Sequence, residues 1–187
     1  MKLSDMFDKL LSEGLNKNNF DIDFVYNQHP MLNDIGKKED YIEYLKTIFP
    51  NSKVKGVYYH ASPNEFTEFK DPYGSALSHI WFSENPITGQ FGSKIYSVVL
   101  NITNPLNEKD VEYSSEIRKY ENPINPNWVN NHNITGELPK FKYDGTIRDS
   151  RVTDGWDVTV RNPKQIHILG LPKDIEGFKK YLKKCYE

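Results

Sequence analysis

Residues 57–102 read VYYHASPNEFTEFKDPYGSALSHIWFSENPITGQFGSKIYSVVLNI. One apolar run ends in Tyr59-His60-Ala61-Ser62. A second, Ile80-Trp81-Phe82-Ser83, is followed by the short Asn85-Pro86 turn. A third, 95–102, places Tyr96, Val98, Leu100 and Ile102 at period two and stops at Asn104-Pro105. Runs of this kind, rich in aromatic and β-branched residues and bounded by Asn, Pro and Gly, are strand signals. Their links carry no helical stripe of the sort a parallel crossover requires, so they predict antiparallel pairing.

Outward from this stretch, helical spacing appears only towards the ends. Leu3, Met6, Phe7, Leu10 and Leu11 recur at helical intervals behind Ser4, a good N-cap, with Gly14 suited to the stop. The polar interval 16–34 reads as loop, and Tyr41, Leu45, Ile48 and Phe49 form a second stripe that Pro50 ends. Residues 107–142 are rich in Asn, Pro and charge and read as a long excursion, partly helical at 113–120. Strand signals resume at Gly145-Thr146-Ile147, at 157–161 and at 165–169. A last helix, 174–186, buries Ile175, Phe178, Leu182 and, by its spacing, Cys185. Helices at the ends and strands in the middle predict an α+β fold in one domain over 1–187. Its helical part is 1–50, and its β core is 54–170.

Composition narrows the function classes. With 187 residues the chain is long enough to bury a substantial core. Its 24 basic and 26 acidic residues leave a charge of -2, which indicates neither nucleic-acid nor membrane binding by bulk electrostatics. A single cysteine excludes an intramolecular disulfide and fits a reducing compartment. No apolar stretch reaches signal-peptide or membrane-span length, so a soluble cytoplasmic protein is expected. The five histidines lack metal-ligand spacing, so no metal is expected, and the phosphate-loop, dinucleotide, zincin and nucleophile-elbow motifs are absent.

Three strings, taken in order, resemble the ADP-ribosyltransferase superfamily, in particular the phage and mobile-element members of its histidine–tyrosine–glutamate class. His60-Ala61-Ser62 stands where that class carries His-Gly-Ser or His-Gly-Thr on its first strand. His79-Ile80-Trp81-Phe82-Ser83 stands where a GIYFA-like string carries an aromatic. Asp157-Val158-Thr159-Val160-Arg161-Asn162-Pro163 stands where an acidic residue opens a late strand, as in EYVVFNPEQI. The likeness spans residues 40–182. It implies a split antiparallel β-sandwich around an NAD-binding cleft. It also implies mono-ADP-ribosyl transfer from NAD to a macromolecular target, a protein by expectation. His60 would then bind the adenosine ribose, the Ala61 backbone the nicotinamide amide, and Ser62 and Ser83 would supply hydroxyls. Trp81 and Phe91 would sandwich the nicotinamide. Asp157 would stabilise the charge that develops on the ribose.

The residue types suit that chemistry. Nicotinamide in NAD is a planar cation, which an aromatic face attracts. Cleaving it leaves an oxocarbenium-like ribose, for which a fixed carboxylate is the natural stabiliser. Three positions depart from the pattern: alanine for the glycine after histidine, tryptophan for tyrosine, and aspartate for glutamate, about 1.5 Å shorter in reach. Misplacement on that scale costs about 100-fold in rate. The residues also admit plainer roles: His60 as a structural histidine, Trp81 and Phe91 as core aromatics, and Asp157 as a strand-edge residue with Asp154 and Asp144 as rival carboxylates. An NAD glycohydrolase, in which water intercepts the ribose, and a non-catalytic protein of this fold that binds a partner such as a phage host factor are the alternative functions.

Overall fold

The structure, a computed structural model, describes residues 21–70, 79–86, 91–107, 143–150 and 155–187. The helix expected at the N-terminus, the helical part of the excursion and Asp154 lie outside the described residues. Seven strands are β1 (Tyr58–Ser62), β2 (Ile80–Ser83), β3 (Lys94–Leu100), β4 (Pro105–Asn107), β5 (Gly145–Ser150), β6 (Gly155–Val160) and β7 (Ile166–Ile168). They form one sheet in the order β4-β5-β6-β2-β1-β3-β7, parallel only between β4 and β5. With helices α1 (Asp23–Gln28), α2 (Lys38–Ile48) and α3 (Pro172–Tyr186), the architecture is α+β.

This sheet cannot be flat. β3 and β4 are joined only by residues 101–104, yet they stand five strand positions apart in the sheet order. Five spacings in a flat sheet measure about 24 Å. The five steps from Leu100 to Pro105 reach about 17 Å when fully extended. The sheet therefore curls until its two ends meet. At the meeting point Gly145 of β5 lies against Ile102, where an added Cβ would sit 2.7 Å from Ile102 Cδ1. Gln165 ties the same place together, donating to Asn101 O at 2.9 Å and to Asp144 O at 2.8 Å. Ser52 Oγ donates to Leu100 O at 2.7 Å and accepts from Ile102 N at 3.1 Å.

Curling gives the sheet an inside. Tyr58, Ile80, Phe82, Val98, Leu100, Ile147, Val158 and Val160 form one buried apolar cluster drawn from both halves of the sheet. Among the described residues the ladder is thinnest between β1 and β2. β1 and β2 meet only through the pair Tyr59↔Ser83, whereas β1 pairs with β3 over five residues and β2 with β6 over four. The sequence reading expected two small sheets, and the structure has one ladder, thinned at its centre to one residue pair.

The helices cover the other face of the β1–β3–β7 half. Val25 and Tyr26 of α1 and Tyr41, Tyr44 and Leu45 of α2 pack there with Phe178 of α3, against Tyr59, Val99 and Leu169. Residues 16–34 were expected as loop, but 23–28 are α-helical and Pro30–Asp34 are 3-10. Segments this short have no propensity to form alone and owe their helicity to the burial of Val25, Tyr26 and Leu32. α3 begins two residues earlier than expected because Pro172, with its fixed φ and missing N–H, suits the first helical position. Cys185 is exposed rather than packed.

Asp174, in the first turn of α3, is fully buried. Its carboxylate accepts from Tyr41 Oη at 2.5 Å and from Gly170 N at 2.8 Å, and lies 2.7 Å from His167 Nε2. Tyr44 Oη donates to its backbone carbonyl at 3.2 Å. Burial and this carboxylate push the Tyr41 phenol far above its ordinary value. One side chain thus joins α2, α3 and β7. Asp174→Ala should cost about 3–5 kcal/mol, because it strands several buried partners at once. Urea denaturation checks this, and a loss under about 1 kcal/mol would show the cluster to be incidental.

Candidate functional site

The three motif strings occupy three neighbouring strands: β1 carries His60, β2 carries Trp81 and β6 carries Asp157. The opening of the curled sheet lies among them. Past Tyr59↔Ser83, residues 60–62 pair only with Tyr96, Ile95 and Lys94 of β3. Residues 80–82 pair only with Val160, Thr159 and Val158 of β6. Both strands keep a full ladder on their outer edges while parting from each other.

His60 spans that parting. Its Nδ1 lies 2.8 Å from the backbone oxygen of Trp81. A carbonyl can only accept, so Nδ1 carries the hydrogen and Nε2 is left as an acceptor in the neutral ring. Burial pulls the His60 pKa below its ordinary 6.5, with the bond to Trp81 opposing. The ring is packed by Phe69 at 5.1 Å, Phe82 at 5.7 Å and Phe66 at 6.1 Å between centroids. The loop that carries Phe66 is itself held down. Tyr96 stacks on Phe66 at 4.0 Å, and Tyr96 Oη accepts from Phe66 N at 2.7 Å.

Strand alternation sorts the remaining residues. Ile80 and Phe82 point into the apolar cluster, so Trp81 lies on the opposite face, with the His79 ring edge-on at 4.8 Å. Ser83 is directly across from Asp157, and Trp81 directly across from Thr159. The structure therefore brings Trp81, Ser83 and Asp157 onto one face. It sets the His60 ring on the Phe82 side and links it to Trp81 through the backbone. The shared face is polar yet buried. Asp157 is 7% exposed, Ser83, His79, Thr146 and Thr159 are equally enclosed, and the Thr146 and Thr159 hydroxyls lie 2.5 Å apart.

The other expected residues are placed as follows. Ala61 is half-buried opposite Ile95. Ser62 Oγ accepts from Asn64 N at 3.1 Å, and Ser83 Oγ donates to Asn85 O at 2.6 Å, so both hydroxyls shape their own turns. Phe91 is 53% exposed and is not a core residue. It is brought to the end of β1 by Gly92, whose φ of +130° places the chain so close that a Cβ would meet the Ser62 carbonyl carbon at 2.1 Å. Asp144 is a turn residue, accepting from Thr103 N and Thr103 Oγ1 at 2.7 Å and from Asn104 N at 2.9 Å. Sequence reading did not pick out the Thr146–Thr159 pair or Tyr59 beside Ser83. The signal was present as polar residues at every second position of Asp157-Val158-Thr159-Val160-Arg161.

No protein-family model matches the chain, and no curated protein matches it. Among solved structures, a crystal structure of an anti-CRISPR protein is similar over 60% of this chain and 93% of that chain, at 12% identity and a TM-score of 0.41. A likeness of that strength bears on neither fold nor function. No helix among the described residues is long and apolar enough to cross a membrane.

His60 generates a pH prediction. Its pKa and that of His29 lie below their ordinary 6.5, both through burial, so the folded chain binds these protons less readily than the unfolded chain. The stability they contribute is fully present above 6.5 and is lost as pH falls through the folded values. Urea midpoints should decline below about pH 6.5. His60→Gln keeps a donor for Trp81 O and should show a shallower decline. Equal slopes in parent and variant would mean that the ring is not held neutral.

Proposed function

We propose that this chain is an NAD-dependent mono-ADP-ribosyltransferase of the histidine–tyrosine–glutamate class, acting on a macromolecular and most simply protein target. The observation that carries the reading is the adjacency of β2 to both β1 and β6, which gathers three motif strings far apart in sequence onto neighbouring strands where β1 and β2 share one residue pair. The fold-over of the two halves supports the split-sandwich form of that superfamily, with the opening as its cleft.

In this reading the nicotinamide ring stacks on Trp81, and exposed Phe91 closes on its other side. A cationic ring in that position gains both stacking and cation–π attraction. His60 lies on the opposite face from Trp81 and Asp157, so it serves the site through Trp81 O, fixing the strand that carries the aromatic. Its Nε2 meets a ribose hydroxyl only where the ligand passes between β1 and β2. The Ala61 backbone holds the carboxamide, and the lone pairs of Ser62 and Ser83 remain to accept further donors. Asp157 faces the ribose carbon whose bond to nicotinamide breaks. The bonding pair leaves with nicotinamide, positive charge grows on the ribose, and the buried carboxylate stabilises it where water cannot screen it. A nucleophile of the target then bonds to that carbon and loses its proton. Water in the nucleophile's place gives the glycohydrolase outcome. The packing of His60 among Phe66, Phe69 and Phe82 favours a second reading, a partner-binding protein in which this histidine only pegs the strands together.

Labelled NAD added to the protein and a cell lysate separates these outcomes. Labelled protein supports transfer, free nicotinamide alone supports hydrolysis, and neither product supports the binding protein. Trp81→Ala should weaken NAD binding by about 1–2 kcal/mol, roughly 5- to 30-fold, read by tryptophan fluorescence or calorimetry. Unchanged affinity would return Trp81 to a packing role. Asp157→Asn should leave NAD affinity near the parent's and abolish turnover, because the carboxylate acts on the transition state. Full turnover in Asp157→Asn would place the catalytic carboxylate elsewhere.

A further inference from the structure

Residues 63–70 leave the end of β1 and cross the inner face of the sheet without joining it. Among the described residues they make no backbone–backbone hydrogen bond, and six of the eight side chains are exposed, so Phe66 and Phe69 are the inward anchors. Phe69 packs against the inner apolar cluster, its ring 5.6 Å from that of Phe82. Phe66 and Phe69 both stand edge-on to the His60 ring, at 6.1 and 5.1 Å.

What holds this segment down comes from β3. Tyr58 and Val98, one register pair, belong to the inner cluster, so the pairs His60↔Tyr96 and Ser62↔Lys94 further along lie on the same face. From there Tyr96 grips the segment twice. Its ring stacks on Phe66 at 4.0 Å, and its hydroxyl accepts from Phe66 N at 2.7 Å while donating to Asn64 O at 3.4 Å. Lys94 pairs with Glu65, an exposed ion pair of the kind that contributes little. A segment tied by a few side chains and by no ladder belongs to the part of a fold that opens at least cost. When it lifts, Phe66 N and Asn64 O pass to water, two rings leave their contacts, and His60 loses its cover while its Nδ1 stays on Trp81 O.

We propose that residues 63–70 are a lid over His60, latched by Tyr96, which opens and closes while the sheet stays intact. The lid stands on packing and hydrogen bonds alone. Only its further consequence, that it gates the entry of NAD from the β1 side of the parting, rests on the transferase reading.

Diethyl pyrocarbonate, which acylates neutral imidazole, tests the lid independently of any activity when His60 and His29 are followed separately by peptide mass spectrometry. His29 is half-buried elsewhere, against Gly170, and is the internal reference. Tyr96→Phe keeps the stacking ring and removes the hydroxyl. It should raise the His60 rate about 3- to 10-fold, the effect of one lost hydrogen-bonded anchor, and leave the His29 rate at the parent's. An unchanged His60 rate, or a rise shared equally by His29, would overturn the lid. Where Tyr96→Phe does not fold, Glu65→Gln at the exposed ion pair serves instead. It should raise the His60 rate about 2-fold, and an unchanged rate would overturn the lid. In stopped-flow NAD binding, Tyr96→Phe should speed association by about the same factor as it speeds acylation of His60, and an unchanged association rate would overturn the gating. A parent protein that binds no NAD would remove the transferase reading and leave the acylation rates to decide the lid.

Discussion

Four residues that must cover a distance they cannot cover determine the shape of this protein. The segment 101–104 leaves β3 in one half of the sheet and enters β4 at the far edge of the other. Only a folded-over sheet satisfies both pairings, and the chain invests several polar side chains in holding the bend. Ser52 secures the end of β3, Asp144 takes the amides of Thr103 and Asn104, and Gln165 bridges from the opposite side. The groups that Ser52 and Gln165 pair are buried or partly so and costly when unpaired. Asp144 fixes the turn at the exposed Thr103 and Asn104 amides, so these side chains do the work a ladder would do elsewhere. The apolar cluster and the opening between β1 and β2 follow from the same fold-over.

The parting of β1 and β2 is governed by backbone pairing. A sheet must keep its backbone groups bonded, and β1 and β2 do so by pairing outward with β3 and β6 while sharing one residue pair. His60 then supplies from its side chain a bond to Trp81 O across the gap. That single contact fixes the tautomer, orients the ring and ties the strand that carries the aromatic to the strand that carries the histidine. Structural and functional roles for His60 are therefore compatible, because the nitrogen that pegs the strands is not the nitrogen left to accept.

Much of this was legible in the sequence, because strand formation and face selection are local. Period-two alternation marked β3 and β6, Pro50 marked the end of α2, and each of the three strings lies on a strand, the strands being neighbours in the sheet. What escaped depends on contacts distant in sequence. The helices within 23–34 form because a sheet face and α2 bury them. No local pattern announces that Asp174 will be enclosed by Tyr41, His167 and Gly170. The continuity of the sheet, and the side on which the His60 ring lies, both turn on the lone Tyr59↔Ser83 pair, which is a matter of register. Phe91 was ambiguous for the opposite reason: an aromatic near a turn reads the same in a core or on a surface until the close approach at Gly92 places it.

The three departures from the family pattern acquire physical content from this geometry. Aspartate at 157 is shorter than the expected glutamate, but its reach depends also on where its strand stands. β6 is paired on both sides, to β5 and to β2, over nearly its whole length. A residue so held cannot move outward to recover a methylene, so in the proposed transferase reading the compensation comes from the β1 side. That side is β1 with the Phe66 loop and the Phe91 turn, joined to β2 by one residue pair and one histidine bond. Reach on the rigid strand and closure at the weakly joined one are thus complementary. In the proposed transferase reading the shorter acid is therefore offset by closer approach of the ligand from the β1 side, and that side joins β2 through the sparsest pairing in the described sheet, Tyr59↔Ser83.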